Sequence, residues 1–548
     1  MSNGMFCPNC GKGNVEGARF CFGCGASLTG DSTAPSGAIV VLPPLDEGVS
    51  ASVLSSRMSG QTIRTIVIIA AIAAAVIILL ASGVLGFLVS GPTQDSPNMR
   101  LTAVFDDDFE QTHLIYDGKS LDKRIEGRAN ISGMSEDGSV YLLTSYMTGS
   151  NYENEIDVYY FKNGKVTRIG NEISNSWLSK DGKTAYLFSD DSLYSMTLPD
   201  GEKKKIRGGL DNVYSLIFSN DGMGVLYTGT NYEDGGSLYY YRNGENTKIG
   251  DYLEPRHVSN KGEIYYYDSE REALYYMSGP EREKERVVNG NGVYITATNG
   301  NDTQMLVSTG TSDGNNRTYF VERGKENARV SGFKGPAHML LPQGIGEFKD
   351  NDLRQNFFID YNEGSQEIRY LNKNLETDRI ASDVRDVRLS ADTNILFYIR
   401  SGSLFKMNAN RNSEPERIAR EIVSYEISAN GRMVYYLNED DELYYKKGTA
   451  DPIKITDDVK SIKIAKNETL YYLTDYSSRH GTGSLYTCKT EKDKKRIDDD
   501  VYSYQAYLYM DYTVYSTKIS DDEYDIYAAT SGGKFECVLE GINGSFSY

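Results

Sequence analysis

A four-residue turn followed by an apolar strand recurs along most of the chain at intervals of about 40 residues. Its full form, Ser-x-x-Gly with Asp, Asn or Lys at the third position, begins at Ser135, Ser179, Ser219, Ser259 and Ser428, and looser versions begin at Ser390 and Ala465. The successive spacings are 44, 40 and 40 residues, then 131 (about three periods), then 38 and 37. A period of this length indicates a repeat architecture, in which neighbouring repeats bury faces that one repeat cannot bury alone.

Each repeat contains several short apolar strands separated by turn residues. After the turn at Ser179 come the strands "TAYLFSD" and "SLYSMTL", and a shorter strand such as "VTRIG" or "TKIG" closes most repeats. Four short strands in about 40 residues, with Asp-Gly and Asn-Gly hairpin turns, predict a mainly β fold with β-propeller blades over residues 100–548. A right-handed parallel β-helix is the competing repeat fold, but its coils are usually shorter than this period.

The number of repeats exceeds that of an ordinary propeller. Residues 100–548 have room for ten or eleven repeats, whereas a single propeller usually has about four to eight blades. Two propellers in tandem and one unusually large ring both account for this number. The least regular stretch, residues 336–355, is the expected seam.

The S-x-D-G turn before an apolar strand resembles the TolB-like and YWTD-like propeller families, over roughly residues 100 to 548. Members of those families are mainly binding platforms. The resemblance therefore implies a fold and a binding role, and it implies no reaction.

Residues 65–89, TIVIIAAIAAAVIILLASGVLGFLV, contain no charged residue. This length exceeds the roughly 20 apolar residues that a helix needs to cross a bilayer, so it predicts one transmembrane helix rather than a buried core helix or a cleaved signal peptide. Arg57 and Arg64 precede the span, which places the N-terminus in the cytoplasm and the residues from about 92 onward outside. Small residues four apart within the span, such as Ala70 and Ala74, also suggest a homodimer through this helix.

Four of the six cysteines form a C-x2-C pair, a gap of ten residues and a second C-x2-C pair: Cys7, Cys10, Cys21 and Cys24. Four thiolates at this spacing predict a tetrahedral Zn²⁺ site with no open position, so the metal is expected to be structural. Two disulfides are the alternative, and they require an oxidising compartment. Residues 6–25 resemble the short zinc ribbons at the N-termini of many bacterial membrane proteins, which implies a small contact domain (predicted bounds 1–28). The Ser-, Gly-, Ala- and Pro-rich residues 29–60 predict a flexible linker.

The charge distribution and the scarcity of catalytic motifs argue against two classes of function, nucleic-acid binding and catalysis by a known hydrolase motif. Acidic and basic residues balance within residues 1–92, so the net charge of -19 falls on the remainder, and we expect no nucleic-acid partner. The four histidines are scattered and accompany no hydrolase motif: His113, His257, His338 and His480. Acidic clusters such as Asp190–Asp191 and Asp498–Asp500 lack the spacing of a calcium loop. Cys488 and Cys537 are interpreted as two isolated buried thiols, with a disulfide as the alternative.

Together these features predict a non-enzymatic, single-pass protein of a bacterial cell membrane. Its extracytoplasmic propeller would bind or sense an envelope protein or ligand through its loops, with structural zinc in the cytoplasmic ribbon and no catalytic or cofactor-binding residues. An enzyme of unrecognised type, with a site in a propeller channel, is one alternative. A structural subunit of an envelope complex is the other.

Overall fold

The computed structural model describes residues 5–6, 13–14, 99–105, 111–146, 156–231, 235–310, 316–342, 352–362, 365–520, 523–530 and 533–543. The predicted linker, the predicted membrane span and the four cysteine ligands lie outside these residues. Within them, no helix has the length and apolar character needed to cross a bilayer. The chain divides into two compact parts, residues 1–91 and 92–548.

In the first part, β1 (Met5–Phe6) pairs antiparallel with β2 (Gly13–Asn14). In the second part the strands form eleven consecutive repeats. Repeats 1–4 contain β3 (Leu101–Phe105), β4 (Gln111–Tyr116), β5 (Lys119–Ser120) and β6 (Ile125–Glu126); β7 (Arg128–Met134), β8 (Val140–Tyr146), β9 (Ile156–Lys162) and β10 (Lys165–Gly170); β11 (Asn175–Leu178), β12 (Thr184–Ser189), β13 (Ser192–Thr197) and β14 (Lys203–Gly208); β15 (Asn212–Phe218), β16 (Gly224–Asn231), β17 (Gly235–Arg242) and β18 (Glu245–Asp251).

Repeats 5–8 contain β19 (Leu253–Val258), β20 (Ile264–Asp268), β21 (Ala273–Met277) and β22 (Lys284–Asn289); β23 (Asn291–Thr298), β24 (Gln304–Gly310), β25 (Arg317–Glu322) and β26 (Ala328–Val330); β27 (Ala337–Met339), β28 (Asn356–Asn362), β29 (Ser365–Leu371) and β30 (Thr377–Ala381); β31 (Val384–Leu389), β32 (Ile395–Arg400), β33 (Ser403–Asn408) and β34 (Glu416–Ala419). Repeats 9–11 contain β35 (Ile422–Ile427), β36 (Met433–Asn438), β37 (Leu443–Lys447) and β38 (Ile453–Thr456); β39 (Val459–Ile464), β40 (Leu470–Ser477), β41 (Thr482–Cys488) and β42 (Lys495–Gln505); and β43 (Tyr512–Lys518), β44 (Glu523–Thr530) and β45 (Glu536–Asn543).

Each of repeats 2–9 is a four-stranded antiparallel sheet whose strands pair in chain order. Repeats 10 and 11 share β42, because its first half pairs with β41 and its second half pairs with β43. The result is one seven-stranded sheet, and none of the described sheets closes on itself. The first strands of successive repeats, such as β15 and β19 or β35 and β39, lie beside one another and form the inner edge of the array.

The second strand of each repeat is buried on both faces because its sheet is packed between two neighbours. Between repeats 2 and 3, for example, Val140 and Leu142 pack against Ala185 and Leu187. This double burial explains why these strands are continuous apolar runs rather than alternating ones.

The two ends of the array also meet. Val104 and Ile115 of repeat 1 pack against Val514 and Ile526 of repeat 11 in one buried cluster. The hydroxyls of Thr102 and Tyr512 lie 2.6 Å apart in the same contact. The succession of repeats therefore returns to its start through this packing and through a parallel backbone bridge between Met99 and Met510. The last strand, β45, pairs with β44 inside its own sheet.

Packing continues through the stretch that the sequence singled out as a seam. One buried cluster joins repeats 6 and 7, including Leu306 and Phe358, and another joins repeats 7 and 8, including Ile359 and Leu396. Residues 343–351 lie outside the described chain. The described packing is that of a single array of eleven repeats.

The recurrent turn joins the first and second strands of a repeat. In repeat 3, the buried Ser179 hydroxyl donates to Asp181 Oδ1 at 2.7 Å and accepts the N–H of Thr184 at 2.9 Å. Gly182 has a φ of +68°, and a Cβ there would lie 2.9 Å from the Cβ of Ser135 in repeat 2. The Ser and Gly of the motif are therefore structural, since they close the turn and let it lie against the preceding repeat.

Repeat 6 builds the same turn from different residues. Asn299 replaces the serine, and its Oδ1 accepts the N–H groups of Thr303 at 2.8 Å and Gln304 at 2.9 Å. Asp302 takes the glycine position with a φ of +57°. This turn lies 40 residues after Ser259, so the period alone places it although the motif does not match.

Candidate binding face

The two ends of each repeat differ in what they expose. The recurrent turns and the connections between third and fourth strands lie at one end, which we call the turn end. The connections between second and third strands, and the links from one repeat to the next, lie at the other end, which we call the loop end. Loops at one end of a repeat scaffold are the usual place for binding residues.

Among the described residues, every exposed tyrosine lies at the loop end. We call these seven the rim tyrosines, and they are Tyr146, Tyr214, Tyr252, Tyr294, Tyr361, Tyr476 and Tyr502. The exposed apolar residues at the turn end are Met223 and Ile453. Binding surfaces are enriched in large, rigid, amphipathic rings of this kind.

A second repeat pattern sets the position of three rim tyrosines. The first strands of repeats 4, 6 and 11 open with a buried valine followed by an exposed tyrosine: Val213–Tyr214, Val293–Tyr294 and Val501–Tyr502. The buried residue packs into the core, and the next side chain points to the opposite face. Repeats 9 and 10 place Val423 and Lys460 at the same position, so the slot tolerates different side chains.

Neighbouring groups hold several rim rings in place. The Arg256 guanidinium lies 5.2 Å from the Tyr294 ring centroid, and the Lys460 ammonium lies 5.4 Å from that of Tyr476. His338 packs edge-on against Tyr361 with 5.5 Å between ring centroids. Cation–π and aromatic contacts of this kind limit the rotation of exposed rings, and so lower the entropy lost on binding a ligand.

A cavity of about 290 Å³ opens at the loop end between repeats 6 and 7. Its lining includes Asn291, Tyr294, Ser308, Asn316 and Pro336. The rim tyrosine Tyr294 forms one of its walls.

The inner edge of repeats 8 and 9 carries a partly buried ionic cluster. Arg388 donates to Glu426 at 3.0 Å and to Asp386 at 2.9 Å, and its guanidinium lies 4.6 Å from the Tyr425 ring centroid. Burial raises the pKa of Glu426. Although burial opposes it, the two carboxylates raise the pKa of Arg388. Because the charges pair with one another, the cluster ties two first strands together.

The histidines do not converge. His257 lies 3.0 Å from Asp302 in repeats 5 and 6, His338 packs on Tyr361, and His480 lies in the turn between β40 and β41. His113 lines a separate cavity of about 450 Å³ between repeats 1 and 11, together with Cys537. Cys488 is buried and Cys537 is exposed, and both are free, so the interpretation of two buried thiols is wrong for Cys537 because its strand β45 is an edge strand.

The acidic clusters serve local structure where they are described. Asp190 and Asp191 both have positive φ, 47° and 50°, and form the hairpin turn between β12 and β13. Asp498 accepts the Tyr515 hydroxyl at 2.8 Å, and Asp499 accepts that of Ser484 at 2.8 Å. No group of three or more metal-ligating side chains occurs in the described residues.

Comparison with known proteins gives one family match. A family model described as a zinc-ribbon domain matches residues 6–28. The N-terminal segment is a zinc ribbon. The match contains all four predicted ligands, and the ribbon implies structural zinc. The pairing of β1 with β2 is consistent with this match, since these strands precede Cys7 and follow Cys10 in the sequence. No curated protein matches the sequence.

Solved structures match the repeat region at low identity. The tricorn protease is 14% identical with a TM-score of 0.26, and the alignment covers 79% of this chain and 49% of that one, so the chain spans about half of its length. The β-propeller domain of the Trilobed protease from Pyrococcus furiosus is 13% identical with a TM-score of 0.30, covering 60% and 96%. Porphyromonas gingivalis dipeptidyl peptidase 4 is 11% identical with a TM-score of 0.35, covering 73% and 66%.

One of these matched structures is itself a β-propeller domain. The matches also correct one prediction from the sequence. The absence of catalytic motifs predicts that the chain is not an enzyme, yet the matched structures belong to proteases, and the prediction is contradicted. Motifs of contiguous residues detect only sites whose residues are adjacent in the sequence, so their absence does not exclude a site assembled by the fold.

Proposed function

We propose that the chain is a membrane-anchored receptor that binds a component of the cell envelope at the loop end of its propeller-like array. The observation that carries this proposal is the placement of all seven rim tyrosines at that end. Residues 144–155 and 474–484 include the connections between the second and third strands of repeats 2 and 10, and so belong to the same end. Each carries a rim tyrosine, Tyr146 or Tyr476.

The sequence supports the anchored topology. The uncharged residues 65–89 would form the single span, and Arg57 and Arg64 before it favour a cytoplasmic N-terminus. A zinc ribbon needs reduced thiols, which that side of the membrane supplies. The array would then face the envelope. Protease treatment of intact cells should remove residues 92–548 and spare the ribbon, and cleavage of the ribbon first would reverse the orientation.

The binding role is tested with full-length protein purified in detergent and sedimented with an isolated envelope fraction. The rim variant replaces Tyr146 and Tyr476 with serine. The matched control replaces Met223 and Ile453, which are about equally exposed at the turn end. Since buried aromatic anchors each contribute on the order of 1–2 kcal/mol, the rim variant should bind about tenfold or more weakly while the control binds as wild type. Equal binding by the two variants would place the contact elsewhere.

A further inference from the structure

The described lining of the cavity between repeats 6 and 7 is uncharged and combines apolar surface with polar side chains. Asn291, Ser308, Thr309 and Asn316 of repeat 6 line it, together with Pro336, which precedes the first strand of repeat 7. Its volume of about 290 Å³ lies at the small end of ligand sites, which span roughly 300–1,000 Å³. Among the described residues of the lining, none carries a carboxylate, ammonium or guanidinium group. A charged ligand would be desolvated there without a counter-charge, so the cavity suits a neutral one.

Tyr294 supplies an aromatic wall of fixed orientation. Its side chain is 59% exposed. Arg256 of repeat 5 lies over the ring at 5.2 Å and is itself held by a 2.7 Å hydrogen bond to the Val293 carbonyl and a 2.7 Å ion pair with Glu254. Arg256 belongs to the repeat before Tyr294, whereas the cavity is bounded by the repeat after it. Arg256 therefore restrains the Tyr294 ring from the side of repeat 5. The same ring lines the cavity.

A fixed aromatic ring beside two amides matches the two faces of a sugar. The C–H face of a pyranose is apolar and packs on an aromatic ring, while its equatorial hydroxyls both donate and accept hydrogen bonds. An amide offers two donors and an acceptor, so Asn291 and Asn316 can hydrogen-bond neighbouring sugar hydroxyls. The net charge of -19 on the chain as a whole repels anions, which disfavours uronic acids and phosphosugars.

We propose that this cavity binds one neutral sugar residue of an envelope glycan. The proposal rests on the proposed receptor function and assigns the ligand class of one site within it. Tyr294 stacks on the sugar ring, and Asn291 and Asn316 hydrogen-bond its hydroxyls. The remaining rim tyrosines contact neighbouring residues of the same polymer.

The test uses full-length protein in detergent and calorimetric titration with a panel of neutral gluco-, manno- and galacto-oligosaccharides, each paired with a uronic-acid counterpart. Saturable binding of at least one neutral oligosaccharide is expected, and weaker or no binding of its acidic counterpart. Tyr294→Ala and Asn316→Ala should each weaken binding about tenfold or more, and Tyr294→Phe should retain it because the ring remains. Tyr214→Ala is the matched control, since Tyr214 fills the equivalent slot in repeat 4 but does not line the cavity. Thermal melts of each variant confirm folding.

Two outcomes overturn the proposal. One is that no neutral saccharide of the panel binds, or that the acidic partner binds as well. The other is that Tyr294→Ala and Tyr214→Ala weaken binding equally. The envelope sedimentation assay distinguishes a failure of the sugar site from a failure of the receptor function. If sedimentation depends on Tyr146 and Tyr476 but is unaffected by Tyr294→Ala, the sugar site is refuted and the receptor function is not. If the wild-type protein does not sediment with the envelope fraction, the receptor function is refuted.

Discussion

Replacing Gly182 with alanine should destabilise the array far more than the same change at a glycine of equal conformation. Gly182 and Gly209 have nearly identical φ values, +68° and +70°. A left-handed conformation costs an alanine roughly 1–2 kcal/mol, so this strain is common to both variants. A Cβ at Gly209 meets nothing within 4 Å, but one at Gly182 lies 2.9 Å from the Cβ atoms of both Ser135 and Val140. Ser135 and Val140 belong to repeat 2, so the clash separates two repeats.

Forcing an extra methyl into a close-packed contact typically costs about 1–3 kcal/mol. We therefore expect Gly209→Ala to lower the free energy of unfolding by about 1–2 kcal/mol, and Gly182→Ala to lower it by about 2–5 kcal/mol. Urea denaturation followed by tyrosine fluorescence and circular dichroism measures both, with the denaturant dependence checked for a change of cooperativity. Equal losses for the two variants would refute the conclusion that the recurrent turn packs against the preceding repeat.

Three further outcomes follow from other parts of the chain. Full-length protein purified under reducing conditions should contain one Zn²⁺ per chain, and Cys21→Ser should lose it; metal analysis without stoichiometric zinc would contradict the ribbon site. Although burial opposes it, the Ser179 hydroxyl and the Lys183 N–H lower the pKa of Asp181. Its carboxylate therefore stabilises the fold above about pH 4, and this stability is lost as the pH falls, so Asp181→Asn should flatten the decline of melting temperature below pH 4. Tyr512→Phe, which removes a buried hydroxyl from its 2.6 Å contact with Thr102, should cost about 1–2 kcal/mol, and Tyr476→Phe at the exposed rim less than about 0.5 kcal/mol. Equal stability of these last two proteins would argue against the contact between repeats 1 and 11.

The regular repeats could be read from the sequence because their constraints are local. Ser179 and Gly182 close a turn within four residues, and the apolar run after them must lie in a buried strand. The meeting of the array's two ends could not be read in this way. Thr102 and Tyr512 are 410 residues apart, and nothing in either segment identifies the other. The motif does not detect repeat 6, because there the amide oxygen of Asn299 accepts the backbone N–H groups of the turn, which the serine hydroxyl does in other repeats.

The candidate binding face could not be recognised from composition, because tyrosine is abundant throughout the chain. With 43 tyrosines in the chain, most of them at strand positions where packing explains them, composition favours a core role. Tyr141 and Tyr294 each follow a valine in a strand, but the first is fully buried and the second is 59% exposed. The difference arises because Tyr141 lies in a second strand between two sheets, whereas Tyr294 lies at the start of a first strand. Strand order is a property of the assembled sheet, and the sequence pattern alone does not give it.

Oxidative footprinting of the full-length protein with and without the envelope fraction tests the binding face most directly. Hydroxyl radicals label exposed tyrosine and methionine side chains, and mass spectrometry reads each site. The proposed function predicts that the envelope fraction protects the rim tyrosines, with Tyr146, Tyr294 and Tyr476 among them, and leaves Met223 at the turn end labelled as before. Protection of Met223 with unchanged labelling of the rim tyrosines would contradict it.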